Sequence, residues 1–239
     1  MKKVHIVTPV KNSFETTIQT IENIINSNIS ISYEYTVYND FSADDTTFKL
    51  QLASKKLGFT LINLSQFTSS PSPNYNLILQ MAQKKALSEN ASLIIVESDV
   101  IVERDTIQRL TELDEQLQNV AMISAITTDK KGVVNFPYLY AQDFKIGVID
   151  TRKRLSFCCT LINNEFLKAY NYDKLNPKKH WFDVFISHKA IELGFKNYLL
   201  TNLPVVHYPH SSRPWKQLKY NNPLKYYWQK LTNTFEIRK

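Results

Sequence analysis

Two acids spaced one residue apart, Glu97 and Asp99, close the apolar run Leu93-Ile94-Ile95-Val96. A short continuous run of this kind predicts a strand over residues 92–97 buried on both faces. Carboxylates at such an end are costly to bury unless something pairs with them. In an open α/β sheet, ligands bind at the carboxyl ends of the strands. A hard divalent cation carrying the phosphates of a nucleoside diphosphate would meet both acids at once, because Mg²⁺ and Mn²⁺ take carboxylate and phosphate oxygen together. A surface turn with two solvated acids is the plainer alternative.

The elements that would position those acids alternate through the first 126 residues. Val4 to Val10 reads as a strand, and Ser13 is placed to cap a helix carrying Ile18, Ile21, Ile24 and Ile25 at helical spacing. Tyr35 to Tyr38 is a second strand, stopped by Asn39-Asp40. Asp44 or Asp45 is placed to cap a helix through Phe48, Leu52 and Leu57, and Phe59 to Leu64 is a third strand. A Ser/Pro-rich loop over 65–73 leads to a helix marked by Leu77, Ile78, Met81 and Ala82. After the 92–97 strand, Asp105 to Gln108 reads as a capping box, and Val120 to Ile126 as another strand. Four β–α units in succession predict an α/β fold, Rossmann-like, with a mostly parallel central sheet flanked by helices. Residues 127–160 are less periodic, the stretches Asn163–Tyr170 and Phe182–Leu193 read as helices, and Phe195–Val206 as two short strands. His5, within a strand, and His188, within a helix, read as structural.

Composition narrows the chemistry. The chain has 239 residues and only 4 glycines, with no Gly-rich phosphate loop of the dinucleotide or P-loop kind. The two cysteines, Cys158 and Cys159, are adjacent, so they point to opposite faces of a strand and read as reduced core thiols, which predicts a cytoplasmic compartment. No apolar stretch is long enough to span a membrane. The net charge of +7 is concentrated in residues 211–239, where seven basic residues face Glu236 alone.

On these elements the chain resembles the family 2 glycosyltransferases, which have the A-type nucleotide-sugar-binding fold. Five pieces carry the resemblance, in order: Pro9-Val10-Lys11-Asn12 after the first strand, Asp40 to Thr46 after the second, Glu97-Ser98-Asp99, Phe182-Asp183 near a helix start, and His207 at the end of a last strand. The resemblance implies a nucleotide-sugar-binding half over residues 1–126 and an acceptor-binding half over 127–210. It places Pro9, Asn12, Asp40 and Glu97 against the nucleotide, Asp99 and His207 on a Mn²⁺ or Mg²⁺ ion, and Asp183 as catalytic base, with His210 as the fallback for His207. The partners it implies are a nucleoside diphosphate sugar donor and a saccharide or lipid-linked acceptor, joined by an inverting transfer. Phe182 stands where the family has Glu, and Phe185 replaces a later acid, departures that bear on acceptor recognition. Trp181 is placed to stack on a sugar, while Arg152, Lys153 and Arg154 read as a solvated charge run.

Residues 211–239 form a basic aromatic tail. Leu224, Tyr227, Trp228 and Leu231 recur at helical spacing with Lys225 and Lys230 off the stripe. Such a helix either lies peripherally on the inner face of a membrane or packs on the catalytic domain; nucleic acid is an unlikely partner, since no recognised module surrounds it. Two other functions fit the same elements: a degenerate fold that binds a nucleotide without transfer, and a sugar nucleotidyltransferase.

Overall fold

A computed structural model describes residues 3–178 and 181–208, together with Asn222, Leu224, Lys225 and Trp228. The chain divides into two units, residues 1–207 and 208–239. In the first, β1 (Lys3–Val10), α1 (Phe14–Ile25), β2 (Ser32–Asn39), α2 (Asp44–Leu57), β3 (Thr60–Asn63), α3 (Tyr75–Ser88) and β4 (Ser92–Val96) alternate as the sequence predicts. Next come β5 (Val100–Ile101), α4 (Thr106–Gln116), β6 (Val120–Thr128), β7 (Val148–Asp150), β8 (Cys159–Ile162), α5 (Asn164–Ala169), α6 (Phe182–Glu192) and β9 (Lys196–His207).

The described strands form one sheet in the order β3-β2-β1-β4-β8-β6-β9-β5, with β7 also on β9. The four strands from β3 to β4 pair in parallel. Beyond them the sheet is mixed: β8 inserts antiparallel between β4 and β6, and β6 pairs β9 in parallel. The insertion brings residues following the irregular 127–157 segment directly beside β4. The stretch expected to be two short strands is the single strand β9, broken in register between Leu200 and Pro204 opposite Ala125 and Ile126. Proline has no N–H to give a ladder, which suits it to such an irregularity.

Alternation along the strands divides the core between two faces. Ile6, Ile94 and Val96 pack with Ile21 and Ile24 of α1, Leu50 of α2, and Ile107 and Leu110 of α4. Val7, Leu93 and Ile95 pack with Leu79 and Ala82 of α3, Phe166 of α5 and Ile186 of α6. Every residue of β4 is buried, and each fully buried Leu or Ile contributes roughly 1.5–3 kcal/mol. That packing fixes the point at which the chain turns polar, at Glu97.

The predicted helix caps form differently. Ala43, Ser13 and Asp105 occupy the N-cap positions of α2, α1 and α4, and none makes a side-chain capping bond. Thr106 Oγ1 instead accepts from the Glu103 amide, so the capping box is replaced by a turn one step earlier. In the second unit, Leu224, Lys225 and Trp228 are helical. Tyr227 and Leu231, the rest of the predicted stripe, lie outside the described residues, as do Lys230 and His210. No described helix is long and apolar enough to cross a membrane.

Candidate active site

The carboxyl ends of β4 and β9 meet through β5. Glu97 directly follows β4: its amide donates to the Cys158 carbonyl at 2.9 Å, and its own carbonyl accepts from the Val100 amide at 3.2 Å. This tight turn leads into β5, where Val100 pairs in register with His207. Asp99 and His207 are buried, and His207 Nε2 lies 3.5 Å from Asp99 Oδ2. The ring orientation is fixed from its other side, where Nδ1 donates to the Phe136 carbonyl at 2.7 Å. Nε2 is thereby left to face the acids.

Cys158 completes the cluster. Its Sγ donates to Glu97 Oε2 at 3.4 Å and sits 4.0 Å from His207 Nε2. One ligand atom each from Glu97, Cys158 and His207 lies within 4.8 Å of the others. The sequence reading took Cys158 for a plain core thiol and missed this placement. No local signal points to it, because the pairing of β8 with β4 is what brings Cys158 beside Glu97.

The electrostatics report crowded negative charge. Burial, then the charge of Asp99, pushes the Glu97 carboxyl up to about 7, with Asp183 adding to the rise and His207 opposing it. Burial alone would lower the His207 imidazole, but the hydrogen bond and charge of Asp99, and then Glu97, raise it above its ordinary value. Two carboxylates and an imidazole with a fixed tautomer match the donors that Mn²⁺ accepts, and the carboxylates alone suit Mg²⁺. A divalent cation would offset both the burial and the like charge of Asp99 that raise the Glu97 carboxyl, so the residues fit such an ion.

Asp183, in the first turn of α6, is partly buried and paired with Arg154, Nη1 to Oδ2 at 3.4 Å. The run 152–154 is therefore not simply solvated. Arg154 faces Asp183, and Lys153 lies over the rings of Tyr140 and Phe144, 4.9 and 5.6 Å from their centroids. Phe182 is buried and stacks on Tyr75 at 6.4 Å, and Phe157 stacks on Tyr75's ring at the same distance. The Tyr75 hydroxyl has no hydrogen-bond partner among the described residues. Burial, then the charges of Glu97, Asp183, Cys158 and Asp99, push it well above the ordinary tyrosine range. Tyr75 thus faces the acids, a placement that an isolated tyrosine at a helix start did not announce. Trp181 and Phe185 flank Asp183 in sequence and are largely exposed.

Pro9, Asn12 and Asp40 belong to a neighbouring part of the same sheet end. Pro9 lies past the β1–β4 ladder, which stops at Val7 opposite Ile95, and still pairs with Tyr38 of β2. Asn12 stitches the two turns together: its amide donates to Ser42 Oγ at 2.8 Å, and its Oδ1 accepts from the Ala43 amide at 2.9 Å. Asp40 does not cap α2. Its carboxylate accepts from Ser72 Oγ, the Asn74 amide and Asn74 Nδ2, at 2.7, 2.8 and 2.8 Å, and so organises the loop before α3.

Solved structures share the architecture. The mannosyltransferase PcManGT from Pyrobaculum calidifontis, in complex with GDP-Man and Mn²⁺, matches with a TM-score of 0.66 at 14% identity over 96% of this chain and 64% of that one. S. aureus TarS 1–349 in complex with UDP-GlcNAc matches with a TM-score of 0.67 at 15% identity, over 89% and 60%. GalNAc-T7 with UDP, GalNAc and Mn²⁺ matches with a TM-score of 0.64 at 12% identity, over 88% and 45%. The chain therefore spans less than two thirds of each of these structures. At such identities the likeness concerns the fold. No curated protein matches the chain. The pattern of glycosyl transferase family 2, however, runs through residues 5–176, most of the sequence, and the protein belongs to that family.

Proposed function

We propose that this protein transfers a sugar, with inversion and metal dependence, from a nucleoside diphosphate donor to a saccharide or lipid-linked acceptor. The observation that carries the reading is the meeting of Glu97, Asp99 and His207 where β4 and β9 end. GDP-Man and UDP-GlcNAc in the related structures support a nucleotide-sugar donor.

Asp99 and His207 would hold Mn²⁺ or Mg²⁺, with Glu97 towards the ribose or a metal-bound water. Bound there, the ion would supply Lewis-acid neutralisation of the departing diphosphate. The Phe136 carbonyl keeps Nε2 of His207 turned towards Asp99 throughout. Asp40 uses three acceptor positions on the 72–74 loop, and a carboxylate offers about four. One remains for a nucleobase N–H, beside the turn that Pro9 and Asn12 shape.

Asp183 would take the proton of the acceptor hydroxyl as that oxygen attacks the anomeric carbon from the face opposite the diphosphate. One displacement of this kind inverts the centre. Arg154 orients the carboxylate at 3.4 Å. Trp181 and Phe185, exposed beside it, offer aromatic faces to a saccharide. Residues 211–239 would bring a lipid-linked acceptor near by lying on an anionic membrane surface.

The test is calorimetric titration of UDP, GDP and dTDP, each with and without Mn²⁺, against wild type and Asp99→Ala. Metal-dependent binding of one nucleotide, lost in the variant, is expected. A folded protein that binds none of them would favour a fold without transfer activity.

A further inference from the structure

A second cluster of ligating groups sits at the opposite, amino-terminal end of the parallel strands. His5 of β1 and Glu34 of β2 are register partners. Glu89, the C-cap residue of α3, closes over them from the helix layer. One ring nitrogen of His5 and one carboxylate oxygen from each glutamate lie within 4.8 Å of one another. His5 is fully buried, and neither of its ring nitrogens has a hydrogen-bond partner among the described residues. Buried polar atoms are nearly always paired, so an imidazole left bare beside two carboxylates calls for an explanation.

Two lysines share the carboxylates. Lys3 Nζ lies 2.7 Å from both Glu34 Oε1 and Glu89 Oε2, and Lys85 Nζ contacts Glu34 Oε2 at 3.1 Å and also Glu89 Oε1. These ammoniums balance the charge of the glutamates, yet neither forms a hydrogen bond to the imidazole. In the neutral ring one nitrogen carries a proton and the other a lone pair, and only a Lewis acid or a proton donor can meet the lone pair.

We propose that His5, Glu34 and Glu89 form a structural binding site for a transition-metal cation of the Zn²⁺ kind, distinct from the site at Asp99. One imidazole and two carboxylates, with a water as fourth ligand, make a tetrahedral zinc set. The imidazole turns preference away from Mg²⁺ and Ca²⁺ and towards Zn²⁺. Bonds of about 2.1 Å place tetrahedral ligand atoms about 3.4 Å apart. Rotation of the two long glutamate side chains supplies that contraction from the present spacing. The incoming dication balances both carboxylates and satisfies His5, while Lys3 and Lys85 swing out to water. Their side chains are already 25% and 45% exposed, so both ammoniums can reach water by rotating about their own side-chain bonds. Bound metal would tie the starts of β1 and β2 to the end of α3, and a cation that binds only the folded state raises its stability.

The test is Zn²⁺ titration of the chelator-stripped full chain, followed by the histidine-ring ¹⁵N resonances and by the thermal midpoint. The chain has 5 histidines, and His5→Gln assigns the signal of interest. The His5 resonance is expected to move as the midpoint rises. Glu34→Gln, at a half-exposed position that leaves the core intact, is expected to weaken Zn²⁺ at this resonance more than roughly tenfold. Lys85→Met is expected to tighten it, because a competing cation is gone. Movement of the His207 resonance with His5 unmoved would overturn the proposal and leave the Asp99 site standing. An unchanged His5 response in Glu34→Gln would overturn it equally, even if His5→Gln failed to fold.

Discussion

His207 and Asp99 are brought together by backbone pairing. Val100, next to Asp99, is the register partner of His207 on β9, and the two side chains meet at 3.5 Å. The short strand β5 does little for the sheet beyond this pairing. It turns the end of β4 back across β9 and carries Asp99 to an imidazole whose tautomer the Phe136 carbonyl has already set. A substitution at either residue therefore tests a geometry that the backbone holds in place.

Asp99→Asn keeps the shape of the side chain and removes its charge. Calorimetry is expected to show that nucleotide affinity no longer responds to Mn²⁺, while affinity without metal changes little. His207→Gln is expected to weaken the Mn²⁺ response without eliminating it. If Asp99→Asn kept the full Mn²⁺ response, the ion would have to sit elsewhere.

Glu97 predicts a pH dependence. Burial and Asp99 raise its carboxyl to about 7 from an ordinary 4.5, so below that pH it is protonated, and a cation must displace the proton. Mn²⁺ affinity is expected to climb as pH rises towards 7 and to flatten above it. Binding at pH 6 should release a proton, seen as a dependence of the calorimetric heat on the buffer's ionisation enthalpy. Glu97→Gln should reduce both the climb and the proton release, leaving the part that belongs to His207, whose imidazole is also raised and must be neutral to bind a cation.

Asp183→Asn separates chemistry from donor binding. A general base contributes typically 10²–10⁴-fold, so turnover is expected to fall by about that factor while nucleotide affinity stays at the wild-type value. Arg154→Ala removes the cation 3.4 Å from the same carboxylate, and is expected to lower turnover less than Asp183→Asn does. Wild-type turnover in Asp183→Asn would take the base assignment away from this residue.

The amino-terminal β–α units were legible because each obeys a local rule: apolar runs make buried strands, and Ile21 and Ile24 recur at helical spacing. Glu97 and Asp99 stood out for the same reason, as acids ending such a run. What stayed hidden depended on long-range pairing. Nothing local says that β8 inserts antiparallel beside β4, yet that insertion is what directs Cys158 at Glu97. Asp40 is placed against the nucleotide by resemblance alone, and nothing near it in sequence announces that its acceptor positions are taken by the 72–74 loop, far along the chain. Arg154 lay in a run of three basic residues, and only the packing of α6 selects it as the partner of Asp183. His5 read as structural because burial is visible in a strand pattern, while Glu34 and Glu89 approach it from two other elements.

His5 also predicts how stability varies with pH in the metal-free protein. Burial lowers its imidazole to about 4 from an ordinary 6.5, and the nearby charges of Glu89 and Glu34 only partly oppose this. Between those values the unfolded chain binds the proton and the folded chain does not, so stability is fully present above pH 6.5 and is lost as pH falls towards 4. A shift of that size corresponds to about 3 kcal/mol. Glu97 acts in the opposite direction. Its folded value is raised, so the folded state holds a proton between pH 4.5 and 7, and stability drops as pH rises through that window. In wild type the two terms partly cancel. The Glu97→Gln variant exposes the histidine term, and urea unfolding of that variant in EDTA is expected to show stability rising between pH 4 and 6.5. In His5→Gln the rise should vanish and only the opposing slope of Glu97 remain. Identical pH profiles for wild type and His5→Gln would mean that this imidazole takes up its proton without opening the fold.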